Sequence, residues 1–371
     1  MNTQTPVKAE RDWSEIHERE TFGPLTLPLA LLSMLYGLGV RLRVKAWEKR
    51  QRRSLPGFVV SIGNLTVGGT GKTPAAMMLA EWALREGHRV AVLSRGYGGK
   101  YDREILEVSD GHDIKVGPRE AGDEPCLMAT RLQGVPVILA RKRYLAGIHA
   151  HRRFRSDFFV LDDGYQHLDL KRDLDLVLMD AVRPFGNGHL LPWGPLREPI
   201  SHLSRADAFL VTGTWPDTDG TGGDLAGLLK GRFPGKPRFD GTRLPDRIVF
   251  PNRKEDHDRR YLKGKRILGF AGIAGPTRFR DTLSGLGAEV VSFHPFRDHH
   301  DFTSEEIRQL VEWKDRLGAS FMVTTEKDWM RLRGGMDHPD LGYLSIRLNL
   351  SSNFDGLTAM IRERLHRKIG S

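Results

Sequence analysis

Phe58-Val59-Val60-Ser61-Ile62-Gly63-Asn64-Leu65-Thr66-Val67-Gly68-Gly69-Thr70-Gly71-Lys72-Thr73-Pro74 decides how this chain is read. A short apolar, β-branched run enters a glycine-rich turn, and an amphipathic segment from Ala75 to Arg85 leaves it and stops near Gly87. That is strand, loop, helix. Backbone N–H groups of such a loop cradle phosphate oxygens at a helix N-terminus, where the helix dipole favours negative charge. The cradle is predicted over Thr66, Val67, Gly68, Gly69, Thr70, Gly71, Lys72 and Thr73. Lys72 reaches the outer phosphates, and the Thr73 hydroxyl is placed for a nucleotide-bound magnesium ion. Pro74 fits the first helical turn, which has no intrahelical use for its N–H. Thr66 stands where the strict pattern has its first glycine.

Working outward, apolar strand-like runs alternate with helical segments, which argues for a mostly parallel sheet with helices on both faces. The candidate strands are Arg89–Ser94, Val135–Ala140, Asp157–Leu161, Leu174–Asp180 and Ala208–Thr212. From about Thr214 to Arg260 the chain becomes rich in Gly, Pro and charge, and the rhythm fades. It resumes at Arg266–Ala271, Glu289–Phe293, Ser320–Thr325 and Tyr343–Arg347. The expected class is α/β: a P-loop NTPase-type parallel sheet over residues 54–213, a connector over 214–262 and a smaller α/β domain over 263–371. Residues 1–53 form a membrane-associating segment ahead of them.

Formal net charge is +10 over 371 residues, which points to an anionic partner surface, either nucleic acid or acidic lipid. Cys126 is the only cysteine, so intrachain disulfides and multi-cysteine zinc sites are excluded, as suits a reducing cytoplasm. The N-terminus chooses between the two partners. Thr21 to Val40 carries no charge, and Arg41, Arg43, Lys45, Lys49, Arg50, Arg52 and Arg53 follow directly. A signal peptide has its positive residues first. A span needs about 20 predominantly apolar residues, and Gly23, Pro24 and Pro28 leave the regular part too short for that. An apolar helix running into a basic stripe suits the bilayer interface, its arginines on lipid phosphates.

Strand ends supply further candidates. Phe158-Phe159-Val160-Leu161-Asp162-Asp163-Gly164 delivers two carboxylates to the phosphate edge of the sheet, the Walker-B arrangement for magnesium. Ser94-Arg95-Gly96-Tyr97-Gly98-Gly99 also follows a strand, and Glu120-Ala121-Gly122-Asp123-Glu124-Pro125 gathers three acids at a glycine turn.

Taken in order, SIGNLTVGGTGKTP, LSRGYGG, AGDEP, LDDGYQH, FGNGHLLPWGPLREP and FRDHHDF resemble the tetraacyldisaccharide 4′-kinase family, the inner-membrane lipid A kinases of Gram-negative bacteria. The resemblance reaches from the N-terminal apolar helix to Thr324–Asp328 and includes Thr66 at the first P-loop position. It implies ATP-dependent phosphorylation of the 4′-hydroxyl of a tetraacylated glucosamine disaccharide 1-phosphate to lipid IVA, with magnesium. It also implies a second domain joined by a two-stranded connector, and monotopic attachment to an anionic membrane surface at the cytoplasmic face of the inner membrane. By that resemblance Asp123 is the base at the sugar hydroxyl. Asp162 and Asp163 serve metal and active-site electrostatics, Arg197 and Glu198 lie near phosphate and metal, and His299 arrives from the second domain on closure.

Competing readings explain less. A P-loop GTPase needs an N/T-K-x-D motif, and Thr325-Glu326-Lys327-Asp328 has the wrong spacing. A membrane-associated regulatory or partitioning ATPase joins a P-loop to an anchor but accounts for neither AGDEP nor LREP. No nucleic-acid recognition module is recognisable, so nucleic acid is not expected as a partner.

Overall fold

The computed structural model describes residues 26–214, 225–332, 338–350 and 354–369. The first residues of the uncharged N-terminal run (21–25) and part of the expected connector (215–224) lie outside them.

Apolar runs in the first half form β1 (Phe58–Asn64), β2 (Val90–Ser94), β3 (Leu106–Ser109), β4 (Val137–Leu139), β5 (Phe158–Asp162), β6 (Leu174–Asp180) and β7 (Ala208–Thr214). The second half adds β8 (Arg238–Phe250), β9 (Glu255–Asp258), β10 (Arg266–Ala271), β11 (Glu289–Pro295), β12 (Phe321–Thr325) and β13 (Leu341–Asn349). They join one 13-stranded sheet in the order β11-β10-β12-β13-β8-β7-β6-β1-β5-β2-β4-β3, with β9 on β8. Among the described residues the antiparallel pairings are β8 with β13, β3 with β4 and β8 with β9, and the rest are parallel, as an α/β sheet requires. The central strands β1 and β5 are buried along their whole length, so both faces carry apolar side chains.

The helices are α1 (Thr26–Glu48), α2 (Lys72–Arg85), α3 (Pro118–Ala121), α4 (Asp123–Arg131), α5 (Arg143–Phe154), α6 (Leu225–Arg232), α7 (Pro276–Gly285), α8 (Ser304–Arg316), α9 (Glu326–Leu332) and α10 (Phe354–Ile369). One core packs α2 and α4 against one face of the sheet, with Val60, Leu79, Trp82 and Met128 in it. Another packs α5 on the opposite face through Leu55, Val59, Ala146 and Phe159. The expected strand–helix architecture is present on both faces.

Two elements differ from expectation. The segment where the rhythm fades contains the 13-residue β8, which pairs with β7 on one side and β13 on the other and makes the two halves one sheet. The N-terminal helix is not too short: α1 is 23 residues long, long and apolar enough by length and composition to cross a membrane. Arginine and lysine are good helix formers, so the basic stretch prolongs the helix rather than ending it, and Pro28 sits in the first turn.

Candidate active site

The phosphate loop hangs between β1 and α2. Its turn into the helix is made by Gly71 at φ 87°, a left-handed conformation that glycine adopts without a Cβ penalty. Asn64, the last residue of β1, holds both ends: its Nδ2 donates to Thr70 Oγ1 at 3.1 Å, and its Oδ1 accepts from Lys72 Nζ at 3.1 Å. Two loop carbonyls are committed to protein donors, Thr70 O to the Thr212 hydroxyl at 2.9 Å and Gly69 O to Arg243 Nη1 at 2.6 Å. That removes two acceptors that would repel phosphate oxygens. Arg243 is itself held by Asp180 at 2.9 Å. Thr73 is buried in the first turn of α2.

β5 lies beside β1, with Asp162 in register with Ile62, so the acid emerges next to the loop. Asp162 is 2% exposed. Its Oδ2 accepts from Ser94 at 3.2 Å, while Oδ1 is buried without a partner. Burial, then the charges of Glu124 and Asp163, push its carboxyl up to about 7. Asp163 turns into the left-handed region at φ 51° and points elsewhere. It accepts from Arg197 Nη1 at 2.8 and 3.0 Å and lies 3.5 Å from Lys72 Nζ. Burial raises Asp163, but Lys72 and Arg197 outweigh it and hold the carboxylate below its usual range. Burial also lowers the Lys72 ammonium, against the pull of Asp163.

Arg197 reaches this cluster because its segment is laced to the loop. Arg197 N donates to Leu65 O at 2.7 Å, and Val67 N donates to Pro195 O at 2.8 Å. Glu198 faces away from the cluster. It is buried and bound by His202 at 2.7 Å and Arg205 at 2.9 Å, which hold it below the carboxylate range against the effect of burial.

A second cluster forms where α4 meets α9 and the loop after β11. Gly122, at φ 91°, starts α4, and a Cβ there would stand 2.5 Å from Tyr97 O, which ties AGDEP to the RGYGG turn. Asp123 Oδ2 lies 3.2 Å from His299 Nδ1 and 2.7 Å from Arg331 Nε. Burial raises the Asp123 carboxyl, yet these two partners bring it below its usual value, while the bond to Asp123 raises His299. Next door, Glu124 pairs with Lys327, and further along α4 Arg131 meets Glu326 at 3.0 Å. His300 has different company: Glu306 at 3.0 Å and the ring of Phe296.

The structure thus joins Lys72, Asp162, Asp163 and Arg197 around the loop and Asp123 with His299 across from it, and it leaves Glu198 apart. Sequence reading missed Asn64, Arg243 and Arg331. The signal for Arg331 was its place one helical turn beyond Asp328, which it contacts at 2.9 Å.

A phosphate loop at the end of β1, flanked by an acid-ended β5, defines a P-loop nucleotide-dependent enzyme. The family model described as Tetraacyldisaccharide-1-P 4′-kinase matches residues 25–366, and the chain belongs to that family. It is 42% identical over 339 residues to the tetraacyldisaccharide 4′-kinase of Syntrophus aciditrophicus, covering 88% of this chain and 89% of that one. It is likewise 42% identical over 306 residues to the Geobacter sulfurreducens tetraacyldisaccharide 4′-kinase, covering 82% and 83%. The crystal structure of LpxK from Aquifex aeolicus in complex with ATP is 32% identical, with a TM-score of 0.74 over 92% of this chain and 99% of that one. The enzyme is a kinase of lipid A biosynthesis, as the sequence motifs led us to expect.

Proposed function

We propose that this chain transfers the γ-phosphoryl group of ATP to the 4′-hydroxyl of a tetraacylated glucosamine disaccharide 1-phosphate, with Asp123 as base. The observation that carries this reading is the pair of neighbours at the start of α4. Glu124 lies within electrostatic reach of Lys72 and Asp163, so α4 begins against the phosphate loop, while Asp123 faces the second half. Asp123 accepts the hydroxyl proton as that oxygen bonds to the γ-phosphorus. The bond to the β,γ-bridging oxygen breaks and its electron pair leaves on ADP. Lys72 and Arg197 neutralise charge on the transferring group, a role that matters more than the proton acceptor in such loose transition states. Closure of residues 263–371 on 54–213, across the 214–262 connector, brings His299 to Asp123.

Magnesium fits the donor set. Asp162 Oδ1 is buried with no partner, the Thr73 hydroxyl is buried at the head of α2, and Asp163 is already committed to Arg197 and Lys72. Asp162 and Thr73 would therefore hold the ion, with phosphate oxygens and waters completing its shell. Bound there, it neutralises the β- and γ-phosphate charge. Glu198, committed to His202 and Arg205, we assign to holding the 195–199 segment rather than the metal.

Purified protein with ATP and magnesium should phosphorylate the tetraacylated disaccharide 1-phosphate, giving a bisphosphorylated product by mass spectrometry, and should not consume ATP rapidly without it. ATP turnover independent of any glycolipid alcohol would overturn the reading.

Attachment to the cytoplasmic face of the inner membrane is supported by α1. Its protein-facing stripe is Ser33, Gly37 and Val44, with Ser33 Oγ donating to Leu190 O at 2.8 Å and Tyr36 to Arg197 O at 2.9 Å. Its large side chains face outward: Leu31, Leu35 and Leu38 are 60%, 58% and 53% exposed. Small residues toward the protein and leucines toward solvent are the reverse of a soluble helix and suit lipid contact. The tether also keeps the acyl chains in the bilayer while the headgroup enters the cleft. Leu31→Glu with Leu35→Glu should abolish sedimentation with anionic phospholipid vesicles and raise KM for vesicle-borne acceptor. Activity on detergent-dispersed acceptor should persist. Unchanged vesicle binding by the double variant, or complete release of wild type by salt, would exclude insertion of this face.

A further inference from the structure

The most elaborate side-chain arrangement outside the phosphate loop is centred on Arg331, a residue for which sequence motifs gave no role. It sits in α9, the short helix that follows β12, and α9 packs against α4 of the other half. Along that seam Arg131 meets Glu326, Thr130 meets Met330, Glu124 meets Lys327 and Asp123 meets Arg331. Three of the four contacts are ion pairs, yet only the last reaches the proposed base.

Arg331 is fixed before it touches Asp123. Its Nη1 donates to Asp328 Oδ1 at 2.9 Å and to Gly272 O at 2.9 Å. Asp328, fully buried, is in turn held by the Thr325 hydroxyl at 2.6 Å and the Gly272 amide at 3.0 Å. The remaining edge of the guanidinium faces Asp123: Nε and Nη2 each lie 2.7 Å from Asp123 Oδ2, and Nη2 is also 3.2 Å from His299 Nδ1, so the fork holds the acid and the histidine together. His299 Nδ1 approaches the same oxygen at 3.2 Å. A planar fork held on one edge leaves its other edge little freedom, which is the property that distinguishes arginine from lysine at such a position.

We infer that Arg331 is a positioning residue of the phosphoryl transfer: it clamps Oδ2 of Asp123 so that Oδ1 alone is presented to the acceptor hydroxyl, and only when the second half is docked. This rests on Asp123 being the base. The arrangement makes base orientation conditional on the α4–α9 seam, so the acid is aimed when the cleft is shut and free to turn when it is open. The charged groups facing Asp123 are His299 from the loop after β11, with Asp298 beside it, and Arg331, Lys327 and Asp328 from α9. Burial alone would raise Asp123, so removing the guanidinium lets its acid limb climb.

Arg331→Met in the full-length enzyme should lower kcat about 10²-fold, the scale expected when a reacting group loses its alignment, with KM for ATP near wild type. The acid limb of its kcat/KM profile should move up by roughly one to three pH units. Arg331→Lys, which keeps the charge and loses the fork, should keep an acid limb close to wild type and still lose about tenfold in kcat. Arg131→Met is the control, because it breaks the same seam at Glu326 without touching Asp123, and its acid limb should stay in place. The proposal is overturned if Arg331→Met loses no more activity than Arg131→Met and keeps the wild-type acid limb, for then the contact is only a seam. Should Arg331→Met fail to fold by circular dichroism, wild-type kcat in Arg331→Lys overturns it equally. If Asp123→Asn kept the wild-type rate, it is the base assignment that falls, a result separable from the behaviour of the Arg331 variants.

Discussion

Lys72→Ala is expected to reduce kcat about 10²–10³-fold, the usual cost of removing one group aimed at transition-state charge. Affinity for ATP should change far less. The ammonium rests between Asn64 Oδ1 and Asp163 Oδ1 at 3.1 and 3.5 Å, so part of its interaction is already satisfied before any phosphate arrives. What grows during the reaction is its attraction to the loosening γ-phosphoryl group and the leaving oxygen, and a gain made only in the transition state appears in kcat. The fold should tolerate the change. Asp163 keeps Arg197 as a partner, and the lost ammonium is one that burial already disfavours. Single-turnover rates with acceptor, set beside nucleotide affinity from fluorescence or calorimetry, separate the two effects. Full turnover by the alanine variant would remove Lys72 from the chemistry.

How legible these groups were depended on how local their causes are. The loop from Thr66 to Thr73 could be read because a strand, a glycine turn and a helix start all lie within one short stretch, and each residue's role follows from its neighbours. Asp162 and Asp163 could be read as strand-end acids, but not which of them takes which partner. That depends on Asp163 entering the left-handed region and swinging toward Arg197, leaving Asp162 buried beside Ser94. β8 was hidden by its own sequence. Gly241 and Pro245 interrupt its alternation, and Pro245 is accommodated where the register with β13 shifts, as strand prolines usually are. With β8 went Arg243, which reaches Gly69 across 174 positions of sequence. Arg331 is more distant still, 208 positions from Asp123, and its meaning comes wholly from tertiary docking of α9 on α4. The N-terminal helix shows the opposite failure. Counting Pro28 as a break underestimated a helix that starts at Thr26, takes Pro28 into its first turn and runs on through the first basic residues to Glu48.

Asp123→Asn is expected to lower kcat roughly 10²–10⁴-fold, the range associated with losing a positioned proton acceptor. The amide fills the same space and still offers an oxygen to Arg331, so the seam between α4 and α9 should hold, although Arg331 is then left with Asp328 as its carboxylate partner and His299 with Asp298 nearby. ATP binding should survive, because it is Glu124, not Asp123, that interacts with the loop lysine, Lys72. His299 provides an internal check. Its imidazole is raised chiefly by the bond to Asp123, so in the asparagine variant its titration should move to lower pH. A nuclear magnetic resonance titration of His299 therefore verifies that the charge was lost where intended, while rapid-quench kinetics report the chemical step. Reassignment would follow from one pattern: wild-type kcat in Asp123→Asn together with loss of turnover in Asp162→Asn or Asp163→Asn. Asp162 is the group to watch in that event, because burial and its acidic neighbours raise its carboxyl well above the usual range. Against that alternative stands the geometry. Asp162 is sealed at the end of β5, whereas Asp123 lies where α4 meets α9 and the His299 loop of the second half, with its hydrogen bonds to those groups on Oδ2 and Oδ1 left for the hydroxyl.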